Sequence, residues 1–152
     1  MSSDTPGSLS HRIESLVTPL AQLVTRVVFG QAFLITGLSK LNGLDATTKG
    51  FTELGLPFAA VLAPMVAVLE FAGGILLFAG LGTRTVALLL TATMVVATGT
   101  AHGADLLESL TLTRSLATVP PLPFLVAAIW LLAKGPGAFS LDHALAHRKP
   151  PK

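Results

Sequence analysis

The run FAAVLAPMVAVLEFAGGILLFAG, residues 58–80, decides the fold, because it carries a single ionisable side chain, Glu70, in a stretch long enough to cross hydrocarbon. A bilayer core about 30 Å thick requires roughly 20 helical residues. Strands of a membrane barrel would be about ten residues long with polar and apolar side chains alternating, and this run does not alternate. Outward from it lie three more apolar segments, expected as helices over 19–38, 85–104 and 119–133. Segment 85–104 is rich in threonine, whose hydroxyl bonds back to its own helix carbonyls and needs no water. The last segment is the shortest and opens with Pro120, Pro121 and Pro123, which suit a first helical turn, where a missing N–H leaves nothing unsatisfied.

Composition agrees. The 152 residues are 51% hydrophobic and 12% charged, with a mean hydropathy of +0.73, far from an average soluble domain. The expected fold is therefore all-α, a four-helix transmembrane bundle in contact with the lipid bilayer. It divides into a polar N-terminal tail over 1–15, a membrane domain over 16–135 and a basic C-terminal tail over 136–152. The longest connection, 39–57, holds an amphipathic stretch around Phe51 and Leu54 that suits a membrane interface. A cleaved secretory leader is not expected, since the opening tail carries Asp4 and the first apolar segment is long and interrupted by Arg26.

The distribution of Lys and Arg gives an orientation. With four helices both tails share a side, which collects Arg12, Arg84, Lys134, Arg148, Lys149 and Lys152 against Lys40, Lys49 and Arg114 opposite. Both termini are expected in the cytoplasm. The net charge of +2 then marks a positive membrane face, and no recognised binding fold accompanies it that would argue for a nucleic-acid partner.

Cysteine is absent, which removes thiolate chemistry and iron–sulfur ligation by this chain. Three of the four histidines, His11, His143 and His147, lie in the tails, so no intramembrane pair is available for haem. The carboxylates lack the Glu-x-x-His spacing of di-iron bundles, and no metal site is expected.

Charge inside hydrocarbon is costly and faces the bundle interior, so Arg26, Glu70 and His102 are the groups to weigh. Arg26, Gly30, Phe33, Gly37 and Lys40 recur at a 4-3-4-3 spacing, a stripe of small residues for close helix approach with a cation at each end. Glu70 lies near mid-membrane and must be paired or protonated; Arg26 is its expected partner. The bland reading is an ion pair that docks two helices, and it outweighs catalysis or ligand binding. His102, followed three residues later by Asp105, reads first as an interfacial histidine in solvent and second as a proton donor near a cavity mouth. Gly73 and Gly74 follow no strand and open no phosphate-loop motif, so they read as helix-packing glycines.

These residues carry a resemblance. The pattern Arg26-x3-Gly30-x2-Phe33-x3-Gly37-x2-Lys40, then Phe51 with Gly55-Leu56-Pro57, then Leu69-Glu70-x2-Gly73-Gly74, Gly80-Leu81-x-Thr83-Arg84 and Met94, resembles the DoxX family in that order, with Ser140-Leu141-Asp142 as a similar ending. The resemblance implies a four-helix protein of the bacterial cytoplasmic membrane, and for some relatives a link to membrane redox systems. On that implication Glu70 and Arg26 are the candidate catalytic pair, Lys40, Gly30, Gly37, Gly73, Gly74 and His102 the candidate binding positions, and a quinone the implied cofactor. The leading expectation is a quinone-linked or accessory component of a membrane redox system, with a partner protein or a second copy. The alternatives are a scaffold or assembly factor without a ligand and, third, a small-molecule transporter.

Overall fold

The computed structural model describes residues 6–147 apart from 112 and 114. Of the charges counted above, Arg114, Arg148, Lys149 and Lys152 lie outside the described residues, and the side chains of His11 and Arg12 are likewise not described. Among the described residues every regular element is helical: α1 (Pro6–Asn42), α2 (Leu44–Glu53), α3 (Ala59–Ala79), α4 (Thr83–Thr100), α5 (Gly103–Leu110), a 3₁₀ turn (Leu116–Thr118), α6 (Pro121–Lys134) and α7 (Leu141–His147).

Three helices, within Val17–Asn42, Ala59–Ala79 and Thr83–Thr100, are long and apolar enough to cross a membrane. The fourth apolar helix, α6, has 14 residues, a rise of about 21 Å against a hydrocarbon core of about 30 Å. It packs with the others, so four apolar helices form the bundle while three have spanning length. Large apolar side chains on the outer faces, such as Val24, Val28, Ile35, Val61, Met65 and Val68, are about half exposed. In water that surface would be untenable, and in lipid it is matched by the solvent.

The helix limits differ from the sequence reading in instructive ways. α1 starts at Pro6 and continues through Pro19; a proline there removes one ladder hydrogen bond without ending a helix that its neighbours hold. The connection 39–57 is mostly helix, α2, which buries no residue completely. The turn from α3 to α4 is made by two left-handed glycines, Gly80 (φ 71°) and Gly82 (φ 59°). Gly80 N–H bonds Leu77 O at 3.1 Å and Leu81 N–H bonds Leu76 O at 2.9 Å, the paired bonds that close a helix on a C-terminal glycine.

The helices associate mainly as two pairs, α1 with α3 and α4 with α6. The first pair meets through glycine. A Cβ at Gly30 would lie 2.8 Å from Phe78 N, one at Gly74 would lie 2.7 Å from Gly30 O, and one at Gly37 would lie 2.8 Å from the Glu70 carbonyl carbon. Close backbone approach of this kind is how membrane helices gain packing where lipid offers no hydrophobic drive. Between the pairs sits the core of Phe33, Leu77, Val86, Ala87, Leu90, Met94, Ala128 and Leu131, and Phe33 stacks edge-on against Phe124 at 5.0 Å.

The segment after Lys134 folds back over the α3–α4 turn. Asp142 on α7 accepts from Gly82 N at 2.8 Å and Thr83 N at 3.1 Å. Its carboxylate thus satisfies orphan donors at the start of α4 and meets the positive end of that helix.

Candidate functional site

The stripe on α1 is buried as its spacing requires: Gln22, Arg26, Gly30, Phe33 and Gly37 are all buried, and Lys40 is partly so. Gly37 lets α1 touch α3 at Glu70 and Phe71, and one turn further Lys40 is placed over the same point. The Lys40 ammonium donates to Oε2 of Glu70 and forms an ion pair with it. The glutamate side chain is 2% exposed and the lysine side chain 29%. The lysine stem can therefore follow apolar wall while its head meets the buried carboxylate.

This pair borders a cavity of about 500 Å³ in the half of the bundle covered by α2. Its walls are Phe33, Leu62, Val66, Met94 and Phe124, and Phe51, Leu54 and Leu56 cover it. The polar side chains among its lining are Lys40, Glu70, His102, Thr36, Thr93 and Thr100. The three threonine hydroxyls donate to carbonyls of their own helices: Thr36 to Phe33 O at 3.0 Å, Thr93 to Leu90 O at 2.9 Å, and Thr100 to Val96 O at 2.8 Å. Their oxygens keep lone pairs but no proton for a ligand. Proton donors toward the cavity are therefore Lys40 and His102, and the acceptor of full charge is Glu70. Pro120 and Pro121 at one edge lack an N–H altogether.

His102 sits where α4 gives way to α5, its Nδ1 3.0 Å from Oδ2 of Asp105. Its side chain is 29% exposed and lines the cavity.

Arg26 is not the partner of Glu70. It lies at the other end of the stripe, 1% exposed, and its Nη2 donates to Phe139 O. Among the described residues Nε and Nη1 have no hydrogen-bond partner, and the Asp142 carboxylate acts on the guanidinium electrostatically. A Cβ on Gly80 would come 2.7 Å from Arg26 Cζ, so the arginine packs against the α3–α4 turn. About 15 Å of α3 separates that turn from Glu70. The expectation of an Arg26–Glu70 pair fails because spacing puts both cations on one stripe but does not say which end crosses α3 beside the carboxylate.

Gly30, Gly37, Gly73 and Gly74, expected among the binding positions, line no part of the cavity. Gly73 faces α4, where a Cβ would lie 3.2 Å from Val86 Cγ1, and the other three make the α1–α3 contact. Phe51 and Leu54, read only as an interfacial stretch, are cavity cover. The signal for that role was present in the apolar face of α2, but the partner of the face was not. Among the described residues no three His, Asp or Glu side chains converge to hold a metal ion.

The fold and site define a multi-pass helical membrane protein with a buried carboxylate–ammonium pair beside an apolar cavity. The DoxX family pattern matches residues 21–103. The chain belongs to the DoxX family. It is 38% identical over 76 residues to a Bacillus subtilis (strain 168) protein named "Putative oxidoreductase CatD", a match covering 50% of this chain and 55% of that protein. It is 31% identical to "Inner membrane protein YqjF" of Escherichia coli (strain K12), over 81% of this chain and 90% of that protein. A second protein of that strain, "Inner membrane protein YphA", is 29% identical over 82% of this chain and 89% of its own length. No solved structure matches the chain at a significant level. The protein is thus a multi-pass membrane protein of bacterial type.

Proposed function

We propose that this protein is a quinone-linked component of a membrane redox system, working with a partner oxidoreductase, and that the cavity beside Lys40 and Glu70 holds the quinone head. The observation that carries this reading is the placement of one donor–acceptor pair, its carboxylate buried, in a mostly apolar cavity of about 500 Å³. That combination suits a flat apolar ring with polar oxygens at its edge. The name of the Bacillus relative points the same way.

A bound quinone supplies two-electron, two-proton chemistry. The chain's own residues bind and orient it: Lys40 donates to a ring oxygen, Glu70 exchanges a proton at that same oxygen, and Phe33, Met94 and Phe124 exclude water from the ring. Arg26 is assigned a structural part in this reading, away from the reacting atoms. We further propose that both termini face the cytoplasm, since Arg84 and Lys134 lie at the end carrying α7 and the sequence after α7 is rich in Lys and Arg.

The test is binding of decylubiquinone to the full chain in lipid nanodiscs. Wild type is expected to bind in the micromolar range or tighter, and Glu70→Gln to weaken binding at least tenfold while keeping the folded protein. Absence of quinone binding by wild type, together with co-purification of partner chains alone, replaces this reading with that of a ligand-free scaffold.

A further inference from the structure

The cavity has two polar poles. One is the Lys40–Glu70 pair between α1 and α3. The other is His102, where α4 gives way to α5, lining the same space and held by Asp105 at 3.0 Å. We infer that His102 is a second ligand-contacting group of this site, one that reads whether the ligand's far oxygen is a hydrogen-bond acceptor or a donor, and that it does so through its own protonation.

The argument rests on what each lining group has to offer. The threonines have given their protons to their own helices, and Lys40, beside Glu70, serves the near oxygen with its remaining N–H donors. Among the described residues of α4 and α6 that line the cavity, and His102 after α4, the side chain with a proton to give is the imidazole. The Asp105 carboxylate accepts from Nδ1–H, and a partner of this kind fixes the tautomer and leaves Nε2 for the ligand. When the ring is neutral, Nε2 carries a lone pair and accepts from a hydroxyl. When the ring is protonated, Nε2–H donates to a carbonyl oxygen.

A quinone presents carbonyl oxygens and a quinol presents hydroxyls. The cationic ring therefore favours the oxidised ligand and the neutral ring favours the reduced one. This inference rests on the quinone reading above. Among the described residues, the charged or titratable groups facing the cavity are Lys40 from α1, Glu70 from α3 and His102 after α4, with Asp105 behind it on α5; the lining residues from α2 and α6 are apolar residues and prolines.

The experiment measures the affinity of the full chain in nanodiscs for decylubiquinone and, anaerobically, for its quinol, across about pH 5 to 8. In wild type the quinone is expected to bind roughly tenfold more tightly at the acid end, about 1.4 kcal/mol, and the quinol more tightly at the neutral end. His102→Gln is expected to flatten both curves, because an amide donates and accepts at every pH. Its unfolding temperature is measured alongside, so that a loss of fold is not read as a loss of contact.

Parallel curves for the two redox forms, or opposed curves that survive in His102→Gln, overturn the role of His102 while leaving the quinone reading intact. Failure of wild type to bind either form overturns both.

Discussion

Two regions of one helix face, the Arg26 end and the Lys40 end, carry the same charge and have opposite surroundings. Arg26 is sealed by chain: Phe139 takes its hydrogen bond, the glycine turn packs on it, and two of its nitrogens have no hydrogen-bond partner among the described residues. Lys40 meets a side-chain carboxylate across a gap that opens into the cavity. A cation closed in by its own backbone fastens helices and loop together. A cation that shares a carboxylate with empty space is available to a ligand. The lesson is that buried charge alone does not mark a site, whereas buried charge bordering a cavity does.

The contrast can be broken altogether at the contact both ends depend on. Gly37→Leu would drive a side chain into the backbone of α3 at Glu70 and Phe71, and we expect a loss of at least about 3 kcal/mol. Thermal unfolding in detergent and the yield of monodisperse protein should both collapse; normal values would show that α1 and α3 have room to part.

A comparable effect, confined to one pair of side chains, separates the partners at the Lys40 end. Lys40→Met leaves Glu70 buried without its cation, at a cost of about 3–5 kcal/mol. Glu70→Gln costs much less, because the partly exposed lysine can turn its ammonium to water. The double variant should recover most of the stability lost in Lys40→Met. Equal losses in the two single variants would mean that the pair is not asymmetrically buried.

The smallest effect is expected at the Arg26 end. Arg26→Met gives up one charge-assisted hydrogen bond to Phe139, about 1.5–3 kcal/mol, and relieves two unpartnered N–H groups, so the net change is about 1 kcal/mol. Affinity for decylubiquinone should stay within about twofold of wild type. A large fall in affinity would join the two ends into one site and erase the contrast.

Much of this was legible in the chain itself. Length and hydropathy sufficed for an all-helical membrane bundle, because a run such as 58–80 has no stable alternative in hydrocarbon. The 4-3-4-3 stripe gave the buried face of α1, because helical periodicity is a local property. The sequence also singled out Glu70, because a carboxylate in an apolar run must have a reason.

What tertiary structure alone decided is which groups meet. The choice of Lys40 over Arg26 as the partner of Glu70 follows from where Gly37 lets α1 cross α3. The cover of Phe51 and Leu54 follows from α2 folding over the cavity, and the capping of α4 by Asp142 follows from the return of α7 to the turn. The first and the last join residues 30 and 60 positions apart. Sequence periodicity specifies faces along one helix, but the crossing point of two helices is set by the close packing of both together.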